Sequence, residues 1–282
     1  WNKYQERLDL EPINYSLDGT SKDGNIYITY GDEFYDTGFA PEWYDLVSDN
    51  ARLDLDWTYH TESRHKIKTG FEHTTTDLQV LDIDEPWSGS SAFGANYDSY
   101  NARTYFGAFY IQDRIAFEGM TLNLGVRTDY WIPGRYVEEA IDDTSNIIIT
   151  DEARALFTKE TFSFPWIGGP YRMKARLSPR FGISHPVTDN DVLYFYYGHF
   201  SQLPTFQYVY AKINSKAQST YQVFGNPNLN PKTTVQYEIG IKHRFSEDQI
   251  LELKAYWKDM FDYETSQTIR PSNPKYAHLS FN

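Results

Sequence analysis

The chain has 282 residues, a formal net charge of −13 and no cysteine. Without cysteine there are no disulfides and no thiolate metal sites. The acidity excludes a nucleic-acid partner, because a phosphate backbone requires a basic footprint on the protein.

Residues 1–50 form a loop-rich start. Asp18-Gly19 and Asp23-Gly24 are turn signals. Asn25 to Tyr30 has the make-up of a short strand, and Gly31 to Asn50 reads as an acidic, aromatic loop around Pro41. Arg52 to His60 is a strand: Leu53, Leu55, Trp57 and Tyr59 alternate with Arg52, Asp54, Asp56, Thr58 and His60. Alternate residues of a strand point to opposite faces, so one face is apolar and the other polar. After a short connection at Thr61 to Arg64, Lys66 to His73 repeats the pattern, with Ile67 and Phe71 opposed to Lys66, Lys68 and Glu72.

Asp82 to Asn101 reads as a long polar connection. Arg103 to Phe117 is a strand, Glu118-Gly119 a tight turn, and Met120 to Trp131 a further alternating strand with Leu122, Leu124 and Val126 on its apolar face. Ile132 to about Met173 is a second long insertion. Within it Ile147 to Ile149 suggests a local strand and Glu152 to Lys159 a short helix. Lys174 to His185 and Val192 to Phe200 are strands joined by a turn at Pro186 to Asp191. Ser201 to Lys232 is the third long insertion. The last hairpin pairs the run containing Val235, Tyr237, Ile239 and Ile241 with the run containing Leu251, Leu253, Ala255 and Trp257, across Ser246 to Gln249. Residues 51–263 thus carry the strands, and residues 264–282 begin a further loop.

Two regularities organise these elements. Charges within each clear strand keep to one parity, as expected where a lysine or arginine facing lipid near the midplane costs roughly 2–4 kcal/mol. A soluble β-sandwich predicts the same alternation, with core and solvent in place of lipid and lumen. The second regularity separates the two, since connections run short, long, short, long along the chain. Outer-membrane barrels have brief turns at one end and large loops at the other. No apolar run reaches the roughly 18 residues of a spanning helix, but a barrel strand crosses with about 9–11 residues of which every second one is apolar. Aromatic residues make up 17% of the chain, and Tyr59, Tyr130, Trp131 and Trp257 stand at strand ends, where interfacial girdles form.

No nucleophile elbow, phosphate loop or zinc-binding helix motif is present, and the carboxylates have no spacing that marks acid–base catalysis, so an enzyme is not expected. Asp82, Asp84 and Glu85, and Asp142, Asp143, Asp151 and Glu152, are acidic clusters without a calcium-loop pattern, better read as solvated loop charge; no metal site and no cofactor are expected. Binding is the stronger expectation. The long connections carry aromatic side chains suited to stacking on a solute: Trp43, Tyr44, Trp87, Tyr97, Trp166, Tyr208 and Tyr210.

Four segments carry a resemblance. They are Gly225-Asn226-Pro227-Asn228-Leu229-Asn230-Pro231 with the strand Thr234 to Lys242; Tyr110 to Asp113 with Leu122 to Tyr130; Leu177 to Gly182; and Tyr197-Gly198-His199-Phe200. In this order they resemble the barrel of TonB-dependent outer-membrane receptors, over most of Arg52 to Tyr263. The resemblance implies an all-β, antiparallel transmembrane barrel of about 22 strands, of which this chain is a fragment lacking the plug domain and the C-terminal strands. It further implies a place in the outer membrane of a Gram-negative-type bacterium, where outer loops capture a scarce solute (siderophore, cobalamin, glycan or peptide) and TonB supplies the energy for import. The implied partners are the TonB complex through the plug, outer-membrane lipid, the solute, and a surface lipoprotein as a further candidate. Arg127, Asp129, Glu238, Lys242 and Glu252 would face the lumen, anchoring the plug or lining the path. A partial barrel has two unpaired edges that lipid does not tolerate, so these residues alone are expected neither to insert nor to close. The alternative is a secreted soluble β-sandwich with aromatic carbohydrate-binding loops, in which Val235, Tyr237 and Ile239 would lie between two stacked sheets.

Overall fold

The structure, a computed structural model, describes residues 2–8, 42–61, 64–84, 96–143, 154, 155, 157, 171–213, 222–269 and 278–281. Nine strands form one antiparallel sheet. In chain order they are β1 (Asn2–Leu8), β2 (Glu42–His60), β3 (His65–Asp84), β4 (Asn96–Phe117), β5 (Met120–Ile132), β6 (Lys174–Pro186), β7 (Asp191–Gln202), β9 (Lys232–Arg244) and β10 (Ile250–Phe261). Each strand pairs with its neighbours in sequence, β7 with β9. A second, three-stranded sheet has β12 (His278–Phe281) between β11 (Ser266–Ile269) and β8 (Gln222–Phe224). Residues 264–282, expected to begin a further loop, thus contribute two short strands to this second sheet. The long connections contain the short helices α1 (Arg135–Asp142) and α2 (Phe206–Tyr210). Of the predicted helix at 152–159, residues 154, 155 and 157 are described and helical; the predicted strands at 25–30 and 147–149 lie outside the described residues.

The lower part of one face of the large sheet is mainly apolar, and cross-strand register builds it. Leu55 pairs with Phe71, Phe71 with Phe109, Ile111 with Val126, Phe181 with Tyr197, Tyr197 with Tyr237, and Tyr237 with Trp257. These side chains are open rather than packed: Leu55 is 56% exposed, Ile239 52% and Trp257 66%. No second sheet covers them among the described residues. This overturns the sandwich alternative, which required Tyr237 and Ile239 to be buried between layers. An apolar face of this extent is stable only where its surroundings are apolar, as in a lipid-embedded barrel wall.

Register also gives the strand tilt. The paired row Tyr59, Ile67, Asp113, Leu124, Phe181, Tyr197, Tyr237, Trp257 starts one residue from the turn end of β2 and finishes seven residues from the turn end of β10. A rise of about 3.3 Å per residue against a strand spacing of about 4.8 Å converts that climb to a tilt of roughly 30°. Staggered register of this kind is what lets a sheet curl toward closure.

The strands are longer than the alternation predicts, for a physical reason. In β3, Ile67 and Phe71 stand on the outer parity, with Lys66, Lys68 and Glu72 inside. Past His73 the polarity inverts without a break in the strand. Leu78 and Val80 are buried on the inner parity, and Asp77 and Gln79 take the outer one. The same inversion occurs in β4, where Tyr100 and Ala102 are buried inside and Arg103 turns outward to bond Asp77 at 2.5 and 2.9 Å. The lower part of these two strands has an apolar outside and the upper part a wet one. The boundary carries a ring cluster: Tyr130 and His73 are 2.5 Å apart, hydroxyl to Nδ1, and His73 stacks on Phe71 and Tyr105. From His65 to His73 the outer face spans roughly 23 Å when tilted, close to the height of the apolar band. Residues 42–50, 82–84 and 96–101, expected as loop, are thus strand that continues into water.

The hydrophobic core sits inside the curve at the loop end. Leu78, Val80, Tyr100, Ala102 and Trp131 of the wall meet Val137, Ala140 and Ile141 of α1, Val209 and Tyr210 of α2, and Phe157, Ile213, Phe224 and Leu229. The long connections therefore fold inward over the mouth. α1 starts at this point because Gly134, at φ 95°, turns the chain where a Cβ would sit 2.0 Å from the Arg103 carbonyl oxygen. Its apolar residues then recur at helical spacing along the face that covers the wall.

Candidate functional site

At the mouth, the upper ends of β2, β3 and β4 face α2 across a cleft of about 170 Å³. Tyr44 pairs with Asp82, and Asp82 with Asp98, so the three lie in one row on the inner face. Tyr100, Gln207, Tyr208 and Lys212 complete the lining. Asp98 is nearly buried, and its carboxylate accepts the backbone N–H of Lys212 at 2.8 Å. It lies near the far end of a 22-residue strand, well above the apolar band. Burial pushes its pKa up to about 6, with neighbouring Asp82 adding to the rise against the Lys212 contacts. Burial also raises the Tyr100 and Tyr210 hydroxyls.

The sequence-predicted aromatic residues separate here. Tyr44 and Tyr208 line the cleft together. Tyr210 does not: it is fully buried, and its hydroxyl donates to the Pro133 carbonyl at 2.8 Å, making it a packing residue that holds α2 against the wall. Tyr97 pairs with Ile83 on the parity opposite to Asp98, away from the cleft. Trp43 is part of β2, while Trp87 and Trp166 lie outside the described residues, as do Glu85, Asp151 and Glu152 of the acidic clusters. Of the remaining acidic residues, Asp82 lines the cleft, Asp84 ends β3, and Asp142 and Asp143 close α1. Sequence reasoning missed Asp98, whose only signal was its place opposite Asp82 in a strand taken as loop.

Below the mouth, the inner wall is polar and densely paired. Arg127 donates to both oxygens of Glu72 at 3.1 and 2.8 Å and to Asp129 at 2.7 Å. Arg52 bonds Asp54 at 2.8 and 2.9 Å and lies 3.9 Å from Glu72. Tyr110 donates to Asp56. Farther round, Glu252 accepts from Tyr194 at 2.8 Å and faces Lys242 at 3.6 Å, and Glu238 accepts from Gln236 at 3.1 Å. Arg127, Asp129, Glu238, Lys242 and Glu252 all fall on this face. Their charges are already engaged within the wall.

Two tyrosines lie flat on glycines of this face. A Cβ on Gly70 would sit 2.4 Å from the Tyr110 ring, and one on Gly240 would sit 2.4 Å from the Tyr194 ring. The missing side chains let the rings lie along the wall instead of across the passage. Bare backbone is the only floor that leaves such room.

The family model described as TonB dependent receptor-like, beta-barrel, matches residues 2–278. Among solved structures, the chain is similar to a mutant of the ferric enterobactin receptor PfeA from Pseudomonas aeruginosa in complex with enterobactin, at 15% identity and a TM-score of 0.53, covering 85% of this chain and 32% of that one. It is also similar to the outer membrane transporter YddB from Escherichia coli, at 13% identity and a TM-score of 0.54, covering 90% and 31%. A third is a double mutant of the Serratia marcescens hemophore receptor HasR in complex with its hemophore HasA and heme, at 14% identity and a TM-score of 0.50, covering 85% and 37%. Likeness at these identities is likeness of fold. The chain spans about a third of the length of the structures it matches. No curated protein sequence matches.

Proposed function

Because the chain belongs to the TonB-dependent receptor β-barrel family, we propose that it is wall and mouth of an outer-membrane receptor that captures a scarce solute from outside and passes it inward with energy supplied through TonB. The observation that carries this reading is the division of one sheet into an apolar outer face, a charged inner face and an aromatic, acidic mouth above them. Residues 1–282 as a whole belong to the barrel portion. The short turns then face the periplasm and the long connections the exterior.

In this reading Tyr44, Asp98 and Tyr208 contact the solute first, with Trp43, Trp87, Tyr97 and Trp166 as further loop candidates. Arg127, Asp129, Glu238, Lys242 and Glu252 stiffen the passage and meet the plug. Siderophores, cobalamin, glycans and peptides are the solute classes to test, and a surface lipoprotein is a candidate companion. The chemistry required is binding and guidance.

Uptake by cells expressing the full-length receptor, measured for each solute class with and without TonB, tests the proposal. Uptake of one class that requires both the receptor and TonB, and that falls at least tenfold in a Tyr44→Ala/Tyr208→Ala variant still present in the outer membrane, is expected. Full-length protein recovered from the aqueous fraction without detergent would overturn it.

A further inference from the structure

We propose that the outer wall carries a phospholipid-headgroup site at its turn end, centred on Asp113 and held by His65, which selects a headgroup ending in a primary ammonium. This rests on reading the apolar face as the lipid side of a barrel. Asp113 pairs with Ile67 on β3 and with Leu124 on β5, so its carboxylate interrupts an apolar row of that face. His65 stands one outward position nearer the turns, level with Ile115. Its Nδ1 lies 2.6 Å from Asp113 Oδ2. An ionised carboxylate only accepts, so Nδ1 carries the proton and donates. The bond draws the carboxylate toward the lower edge of the apolar band, where headgroups begin.

Half of that carboxylate is left over. Asp113 Oδ1 has no hydrogen-bond partner among the described residues. A like pairing on β9 and β7 shows the difference. There His243 Nδ1 lies 2.6 Å from Asp191 Oδ1, and the Thr188 hydroxyl donates to Asp191 Oδ2 at 2.6 Å. The chain completes Asp191 and leaves Asp113 short of a donor. An unmet carboxylate oxygen away from water is costly, so a donor arriving from outside the chain stabilises the site. The Asp113 side chain is 26% exposed and turns easily about its Cβ–Cγ bond, which brings the second oxygen within reach.

The rest of a barrel does not supply that donor. β3 and β4 are third and fourth in the nine-stranded sheet, so β1 and β2 separate them from the nearer edge, where further strands would join. Anything filling the passage meets the opposite face. What lies against His65 and Asp113 is lipid, and the donor class follows. A phosphodiester offers acceptors alone, whereas a primary ammonium brings three donors and a positive charge to the carboxylate. His65 Nε2, on the far edge of the ring, accepts from the same ammonium when the ring is neutral and donates to the adjoining phosphate when it is protonated. Arg64, next in the chain, is a second cation for that phosphate, since its exposed pairing with Glu118 at 3.4 Å is a weak one. Leu124 and Phe117, both exposed on the outer face, offer apolar surface to the acyl chains.

The test equilibrates full-length receptor in mixed micelles holding equal amounts of phosphatidylethanolamine, phosphatidylcholine and phosphatidylglycerol with identical acyl chains. Lipid retained through purification is counted by mass spectrometry. The ethanolamine lipid should be enriched about fivefold over the choline lipid, the weight of one exposed ion pair, because a quaternary ammonium has no N–H to give. The enrichment should disappear in Asp113→Leu and persist in Thr128→Leu, another polar-to-apolar change on the same face. Equal retention of the ethanolamine and choline lipids by wild type overturns the proposal and makes solvent the missing donor. Enrichment of the glycerol lipid instead, or an ethanolamine enrichment unchanged in Asp113→Leu, overturns it as well. A heat-modifiable gel band is recorded for every protein: its absence from wild type defeats the barrel reading, whereas a folded barrel with equal retention defeats the headgroup site alone.

Discussion

Arg127 and Glu72 bond across an intervening strand. Arg127 is on β5 and Glu72 on β3, and the residue between them on β4 is Ala108, which pairs with both Glu72 and Asp129 and is fully buried. The small side chain lets the guanidinium pass over the sheet. The ion pair thus couples three strands where backbone ladders couple only two at a time, and its two-pronged geometry is the favourable one for Arg and a carboxylate.

Removing either partner should leave a partly buried charge without its match. A double-mutant cycle of Arg127→Gln and Glu72→Gln, measured by urea unfolding of the full-length receptor in micelles, should give a coupling of about 1–2 kcal/mol. Ala108→Leu should abolish that coupling, because the added side chain occupies the space the guanidinium crosses. Independent, additive effects of the two substitutions would show that the pair contributes nothing across β4.

The ring over Gly70 makes a second expectation. Gly70→Ala should destabilise the barrel by roughly 1–3 kcal/mol, since its Cβ collides with the Tyr110 ring. In a Tyr110→Ala background most of that loss should be recovered, because the ring is gone and the exposed Asp56, whose Oδ1 would lie 2.5 Å from the new Cβ, is released from its bond to Tyr110 and can turn away. The comparison is made on the heat-modifiable fraction against temperature; an equal loss in both backgrounds would mean that the ring is not the cause.

On the outer face, Ile111 and Val126 are paired near the middle of the apolar stretch. Val126→Lys should cost roughly 2–4 kcal/mol of membrane stability and reduce assembled receptor, whereas Gln79→Lys, on the same parity but above the boundary, should have little effect. Assembly is read as the folded band in outer-membrane fractions. Equal tolerance at the two positions would remove the boundary at His73.

Asp98 sets a pH dependence at the mouth. Its folded pKa is about 6, above the ordinary value of 3.8. For a carboxylate raised in this way the folded state binds the proton more tightly, so stability is greatest when Asp98 is protonated and falls as pH rises from about 4 through about 6. The docking of residues 206–213 should therefore loosen across that window and stay constant above it. Asp98→Asn can still accept the Lys212 N–H and should remove the dependence. Hydrogen exchange in residues 206–213 between pH 4 and 7.5 measures this; a profile shared by Asp98→Asn and wild type would assign the effect to another group.

The strand pattern was legible because it is local. Leu53, Leu55 and Trp57 against Asp54 and Asp56 need only the two-residue period of an extended chain, and the alternating short and long connections need only counting. From these came the number of crossing hairpins, the polar and apolar faces, and the resemblance of Gly225 to Lys242 to a receptor barrel. The mouth was not legible in the same way. Leu78, Val80 and Tyr100 are buried on the parity that carries Lys68 and Tyr110 lower down, so the rule that identified the wall ended one strand at His73 and left residues 96–101 as loop. Tyr208 and Tyr210, two residues apart, differ in role because α2 docks one against the wall and leaves the other at the cleft.

The sequence by itself determined that strands alternate between a greasy and a charged side, because each side chain's face follows from its own position in an extended chain. Only the tertiary structure decided which charges meet, how far the strands rise past the membrane, and which aromatic residues line the cleft at the mouth. Those depend on register between strands and on connections folding back over the opening, and both are set by contacts between residues far apart in the chain.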